Sequence, residues 1–136
     1  MTTTELISSI DTLVVNYLKA YLDTLENFSS SVEGNVIEVQ CKKNKDDNSR
    51  FMLLRMGINF ENEEFYIYNI YIPNEDRKQG LGFGLISFIY EIAKTMRFAL
   101  VLADMTDSFR EKMIKRGAKE TSIFDYLQIV DTTKLT

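Results

Sequence analysis

Residues 65–103 read FYIYNIYIPNEDRKQGLGFGLISFIYEIAKTMRFALVLA, and changes of pattern divide them. Phe65 to Ile72 is rich in aromatic and β-branched residues, as strands are. Pro73, the only proline of the chain, ends that run together with Asn74-Glu75-Asp76. Arg77 to Gly84 then carries glycines at 80, 82 and 84. From there Leu85, Ile86, Phe88, Ile89, Ile92, Ala93 and Met96 fall at helical spacing. Phe98 to Ala103 is a continuous apolar run, as in a strand buried on both faces. Strand, glycine loop, helix and strand make a βαβ crossover, which predicts that the two strands are parallel neighbours.

On the N-terminal side, residues 4–27 read as a long amphipathic helix. Leu6, Ile10, Leu13, Tyr17, Tyr21, Leu25 and Phe28 recur at steps of three and four. Thr2-Thr3-Thr4-Glu5 has the capping-box pattern at its start, and the helix is expected to end before Ser29-Ser30-Ser31. Val36 to Gln40 and Phe51 to Phe60 are further strands, separated by the polar run Lys42 to Arg50, which reads as a solvated turn. Short connections predict that these two and Phe65–Ile72 form an antiparallel meander. On the C-terminal side, Ser108-Phe109-Arg110-Glu111 is a second capping-box pattern opening a short helix to Arg116, and Gly117 stands where a C′ glycine ends one. Ala118 to Val130 holds one long or two short strands.

The glycine stretch carries the chemical information. Glycines between a strand and a helix let a backbone approach a ligand closely. The free N–H groups and positive dipole end of the helix favour an anion, and successive N–H groups form a concave nest that fits a phosphate. Arg77 and Lys78 add positive charge, so a pyrophosphate is the expected occupant. A Rossmann fingerprint is excluded because Leu85 stands at the third glycine position, and no P-loop string occurs. On the glycines alone, a merely tight strand-to-helix turn is an equal alternative.

Composition narrows the chemistry further. The 136 residues are 45% hydrophobic and 26% charged, which is ordinary globular usage. No apolar run approaches the roughly 18 residues that span a bilayer, and the N-terminus lacks signal-peptide character. One cysteine, Cys41, allows no internal disulfide; a cytoplasmic protein with no membrane partner is expected. The net charge of −4 disfavours nucleic acid as a partner and mildly favours a cationic substrate. There is no histidine, so acid–base work falls to carboxylates, Tyr, Lys, Cys41 or water, and no metal site is expected.

Arg77-Lys78-Gln79-Gly80-Leu81-Gly82 resembles the R/Q-x-x-G-x-G/A signature of the GNAT acetyltransferase superfamily. The context is similar too: an upstream aromatic strand, a helix after the glycines, an apolar strand, a short helix ending in glycine, and a final strand. The resemblance implies an α/β (α+β) fold with a GNAT-like mixed sheet, in which an antiparallel meander is followed by a βαβ crossover with splayed parallel strands. The whole chain, 1–136, then reads as one GNAT-like domain. Residues 1–30 hold the N-terminal helix, 36–72 the antiparallel strands, 77–97 the glycine loop and helix, and 98–130 a strand, a helix and the C-terminal strand region. The strand that usually opens the family is missing from this reading.

The implied activity is an N-acyltransferase moving an acetyl group from acetyl-CoA, bound as cosubstrate, to an amine of a small molecule or protein. The alternative is a catalytically impaired acyl-CoA-binding or protein-interaction module. The family pattern implies that Ile70 and Ile72 hold the pantetheine arm, and that Arg77, Lys78, Gln79, Gly80, Gly82, Phe83 and Gly84 hold the phosphates. Glu63, Glu64 and Asp104, at the ends of the two parallel strands, are candidate bases. Tyr66, Tyr68 and Tyr71 are expected in the core. The pattern departs at three places. Asn74 stands where the family has proline, Thr106 where Asn is common, and Met113, four residues before Gly117, where a tyrosine usually serves as general acid. A homodimer is compatible with the tail.

Overall fold

The computed structural model describes residues 1–136 except for the side chains of Lys78 and Gln79. Helix α1 (Thr3–Leu22) opens the fold, with the Thr2–Glu5 capping box formed as expected. Its core-facing stripe is Ile7, Ile10, Val14, Leu18, Tyr21 and Leu22. Leu13 and Tyr17, expected in that stripe, are 47% and 39% exposed. The two readings differ by one helical position: steps of three and four also connect residues on the flank of the buried face.

The helix stops five residues before Asn27. Residues expected in its last turn belong to strand β1 (Asn27–Glu33), which turns through Gly34-Asn35 into β2 (Val36–Lys42). Gly34 has φ 59, a left-handed conformation that glycine adopts without strain. The Gly-Asn dipeptide is a hairpin signal, but β1 itself lacks the apolar alternation of a strand because its Ser29-Ser30-Ser31 centre is polar and exposed.

Strands β3 (Arg50–Asn59) and β4 (Glu64–Ile70) continue the antiparallel meander. A 3-10 helix (Asn74–Gln79) and α2 (Leu81–Thr95) cross over to β5 (Ala99–Leu102), which pairs parallel with β4. Helix α3 (Asp107–Lys115) and the short strands β6 (Lys119–Glu120) and β7 (Leu127–Ile129) complete the chain, so the tail forms two strands. The result is a seven-stranded mixed sheet in the order β1-β2-β3-β4-β5-β7-β6, with β4–β5 its parallel pair.

Helix α1 packs along β1 and β2, and α2 along β4 and β5 on the same face, where the two helices touch. The core lies in that layer. Ile37, Val39, Leu54, Met56, Phe65 and Ile67 from the sheet meet Val14 and Leu18 of α1 and Leu85, Ile86, Ile89 and Ala93 of α2. Tyr66 and Tyr68 alternate with Phe65 and Ile67 and so point away from this layer, and Tyr71 is 42% exposed, contrary to the expectation that all three are core. Tyr66 and Tyr68 stack on each other at 5.9 Å, Tyr126 meets Tyr66 edge-on at 6.2 Å, and the Arg55 guanidinium lies 5.1 Å over Tyr68. No helix among the described residues is long and apolar enough to cross a membrane.

The stripe assignment is measurable. Leu18→Ala should cost about 2–5 kcal/mol of stability, as a fully buried leucine does. Leu13→Ala should stay within about 0.5 kcal/mol. Urea denaturation of the two variants checks which face of α1 meets the sheet.

Candidate functional site

The site begins where β4 and β5 part. Their ladder runs from Glu64↔Ala99 to Ile67↔Leu102, and its last bond is Ala103 N–H to the Ile67 carbonyl at 2.9 Å. Beyond it β4 continues to Ile70, while the other chain turns away at Asp104, which has φ 56. A bulge bends β4 at the same point: Arg55 pairs with Asn69 and Met56 with Ile67, leaving Tyr68 extra. A cavity of about 100 Å³ opens between the strands, lined by Ile67–Ile70 and Leu102–Thr106. It shares Ile70, Thr106 and Phe109 with a larger cleft of about 450 Å³.

The larger cleft runs from β4 to the start of α2. Tyr71, Ile72, Arg77, Gly80, Gly82 and Phe83 form one side, and Ser108, Phe109 and Lys112 of α3 the other. Gly80 is the N-cap of α2, in the left-handed conformation (φ 67, ψ 18), and among the described residues no side chain caps the helix. The first intrahelical bond is Gly84 N–H to the Gly80 carbonyl at 2.9 Å. The N–H groups of Leu81, Gly82 and Phe83 therefore have no partner within the helix. An uncapped helix start on a cleft wall is a place for an anion.

The three glycines separate in space. Gly80 supplies the left-handed turn, and a Cβ at Gly82 would meet nothing within 4 Å, so its surface belongs to the cleft. Gly82 and Gly84 lie inside the first turn of α2 rather than in a loop. Gly84 faces α1 instead: a Cβ there would collide with the Tyr17 hydroxyl. Tyr17 also stacks on Phe88 of α2 at 4.5 Å, so the missing side chain at Gly84 leaves room for Tyr17 against α2.

The cations and carboxylates sort themselves similarly. Arg77 lines the cleft with its Nε donating to the Ile72 carbonyl at 2.6 Å and its guanidinium 5.4 Å over Tyr71. Lys112, which the sequence did not single out, lies opposite, with Nζ 5.2 Å over the Phe83 ring. Ile70 and Ile72 line the cleft as well. The side chains of Lys78 and Gln79, expected at the phosphates, lie outside the described residues. Of the three candidate bases only Asp104 borders the space between the strands. Glu63 and Glu64 sit at the opposite end of β4, where the Glu63 carbonyl accepts from Ala99 N–H at 3.0 Å and Glu64 accepts from the Tyr66 hydroxyl at 2.5 Å. Burial and that carboxylate push the Tyr66 phenol up to about 12.

Helix α3 begins earlier than its Ser-x-x-Glu pattern predicts. Thr106 is the N-cap, its hydroxyl accepting from Phe109 N–H at 3.4 Å. Gly117, at φ 101, ends it as expected. Met113 is fully buried in the core, so the position counted back from Gly117 does not face the cleft. Among the described residues no group of His, Cys, Asp and Glu is placed to hold a metal ion. Compared with protein-family models, curated proteins and solved structures, the chain has no match.

Two substitutions test the sorting of the glycines. Gly82→Ala should raise stability by up to about 1 kcal/mol, because a helical alanine in open space loses less backbone entropy on folding. Gly84→Ala should show no such gain, because its methyl displaces Tyr17 and disturbs a stack worth about 0.5–1.5 kcal/mol. Chemical denaturation of the two variants gives the comparison. Met113→Tyr, by contrast, overpacks the core and should cost about 1–3 kcal/mol in the same measurement.

Proposed function

We propose that the cleft binds an acyl-coenzyme A and that the chain is a GNAT-type N-acyltransferase, acetyl being the simplest group transferred. The observation that carries this reading is the uncapped start of α2, at Gly80 and Gly82, on the wall of a cleft continuous with the gap between β4 and β5. The pyrophosphate would accept from the N–H groups of residues 81–83, with Arg77 and Lys112 as its cations. The pantetheine arm, an extended chain bearing amide groups, would lie along β4 beside Ile70, where the strand has no β5 partner. That brings the thioester to the small cavity beside Asp104.

In the transfer, an ammonium group of the acceptor loses a proton to Asp104 or water. The free amine attacks the thioester carbonyl, the nitrogen gives up its second proton to solvent, the C–S bond breaks, and the departing thiolate takes a proton from solvent. Met113 offers no hydroxyl for that last step, which removes help worth about 3–5 kcal/mol. Orientation of the two reactants can supply about 7–11 kcal/mol, so transfer remains feasible at a reduced rate. A binding module without turnover is the second reading, favoured by the same buried Met113.

Titration calorimetry should give coenzyme A a dissociation constant in the micromolar to submillimolar range. Gly82→Val, folded by circular dichroism, should lose that binding, since its side chain fills the anion's place. Asp104→Asn should keep binding and slow thiol release from acetyl-CoA at least about tenfold across an amine panel. Absence of heat and of any thermal shift at millimolar coenzyme A would overturn both readings; binding without thiol release would select the second.

A further inference from the structure

The segment leading into the anion site carries the wrong charge for it. Glu75 and Asp76 directly precede Arg77, within a 3-10 helix that delivers the chain to Gly80. At about 2 Å rise per residue, their backbones lie about 10 Å or less from the start of α2. That slightly exceeds the roughly 8 Å Debye length at physiological salt, so two free carboxylates would still repel an anion there, though weakly.

A lysine from a distant part of the chain meets both. Lys43 Nζ lies 2.7 Å from Asp76 Oδ2 and 2.8 Å from Glu75 Oε1. The Tyr21 hydroxyl, from the last turn of α1, donates to the same Asp76 oxygen at 2.7 Å. Tyr21 is 8% exposed and the side chains of Lys43 and Asp76 are 27% and 21% exposed, so this part of the cluster is half-withdrawn from water, while the Glu75 side chain is 62% exposed. Lys43 is itself fixed: its N–H donates to the Ser49 carbonyl at 3.3 Å and its carbonyl accepts from Glu26 N–H at 3.2 Å. Three segments thus converge on one carboxylate: the end of α1, the connection between β2 and β3, and the approach to α2. The Lys43 ammonium, and for Asp76 also the Tyr21 hydroxyl, hold both carboxyls below their ordinary range.

We propose that Lys43 is a positioning residue for the anion site, offsetting one of the two negative charges of Glu75 and Asp76 and tying residues 74–80 to α1 and the β2–β3 connection so that the start of α2 is presented in a fixed place. The proposal rests on the reading of the cleft as a coenzyme A site for its effect on affinity, and on the structure alone for its effect on order. A small, partly exposed ionic cluster of this kind adds little to global stability. Its effect should appear where the segment's order matters, because affinity falls with the fraction of molecules holding the competent arrangement.

The experiment compares the parent with Lys43→Met and Lys43→Arg in two measurements. Amide hydrogen exchange without ligand should be faster in residues 74–83 of Lys43→Met and unchanged in β3 and β4. Calorimetry should show coenzyme A binding about three- to tenfold more weakly to Lys43→Met. Pantetheine, which lacks the pyrophosphate, should bind both equally, and Lys43→Arg should restore most of the coenzyme A affinity. Unchanged exchange in 74–83 overturns the proposal whether or not coenzyme A binds. Equal losses for coenzyme A and pantetheine overturn it too, because they report a general loss of structure. A parent that binds no coenzyme A overturns the function assigned to the cleft and leaves exchange to judge the positioning. Asp76→Asn serves as the second variant should Lys43→Met fail to fold.

Discussion

The parallel pairing of β4 with β5 is the constraint from which the rest of the molecule follows. A parallel neighbour cannot be reached by a tight turn, so the chain must cross the sheet through a helix. That helix, α2, lays Leu85, Ile86, Ile89 and Ala93 on the core and leaves its N-terminus beside the carboxyl end of β4. The ladder between the strands is only Glu64–Ile67 against Ala99–Leu102, so β4 outruns β5 just where the helix begins. An opening lined by strand edge and an uncapped helix start is the geometric consequence. In open α/β sheets this end of the strands is the general place for ligands.

The glycine segment shows how one short motif divides its duties. Gly80 takes a backbone conformation that a side chain would strain, Gly82 keeps the cleft wall low, and Gly84 lets α1 and α2 come together under Tyr17. The same pattern therefore serves the cleft surface and the core, and a change at each position has a different physical cost. Charge is divided in a comparable way. The chain is acidic, with a net charge of −4, yet Arg77 and Lys112 both line the cleft and Lys43 binds the two acids that precede Arg77.

The two faces of the sheet are built differently. One is closed by α1 and α2 over a continuous aliphatic layer. On the other, Val101 is 3% exposed in register with Tyr66, apart from the main core, and aromatic rings take the place of a helix. Tyr68 lies over Gly57, whose Cβ would stand 3.0 Å from the ring, so a glycine in β3 allows the ring to lie flat on the sheet. Aromatic side chains cover a strand surface with few rotatable bonds, which suits a face with no helix to bury it.

What the sequence determined by itself was local and periodic. The meander from Val36, the crossover, the Thr2–Glu5 cap, the Gly117 stop and the glycine-marked helix start all follow from alternation, spacing or backbone freedom, which neighbouring residues decide among themselves. β1 escaped because its residues are polar and its partner supplies the pairing; the rotation of α1 escaped because periodicity leaves the centre of an apolar stripe open by one position. The site divides along the same line. Gly80, Gly82 and Arg77 were legible from their order in the chain. Lys112, the exclusion of Glu63, Glu64 and Met113 from the cleft, the turning of Gly84 towards α1 and the contact of Lys43 with Asp76 were decided only by tertiary structure. Each depends on which distant surfaces meet, and no spacing along a chain encodes a contact between Lys43 and Asp76, 33 residues apart.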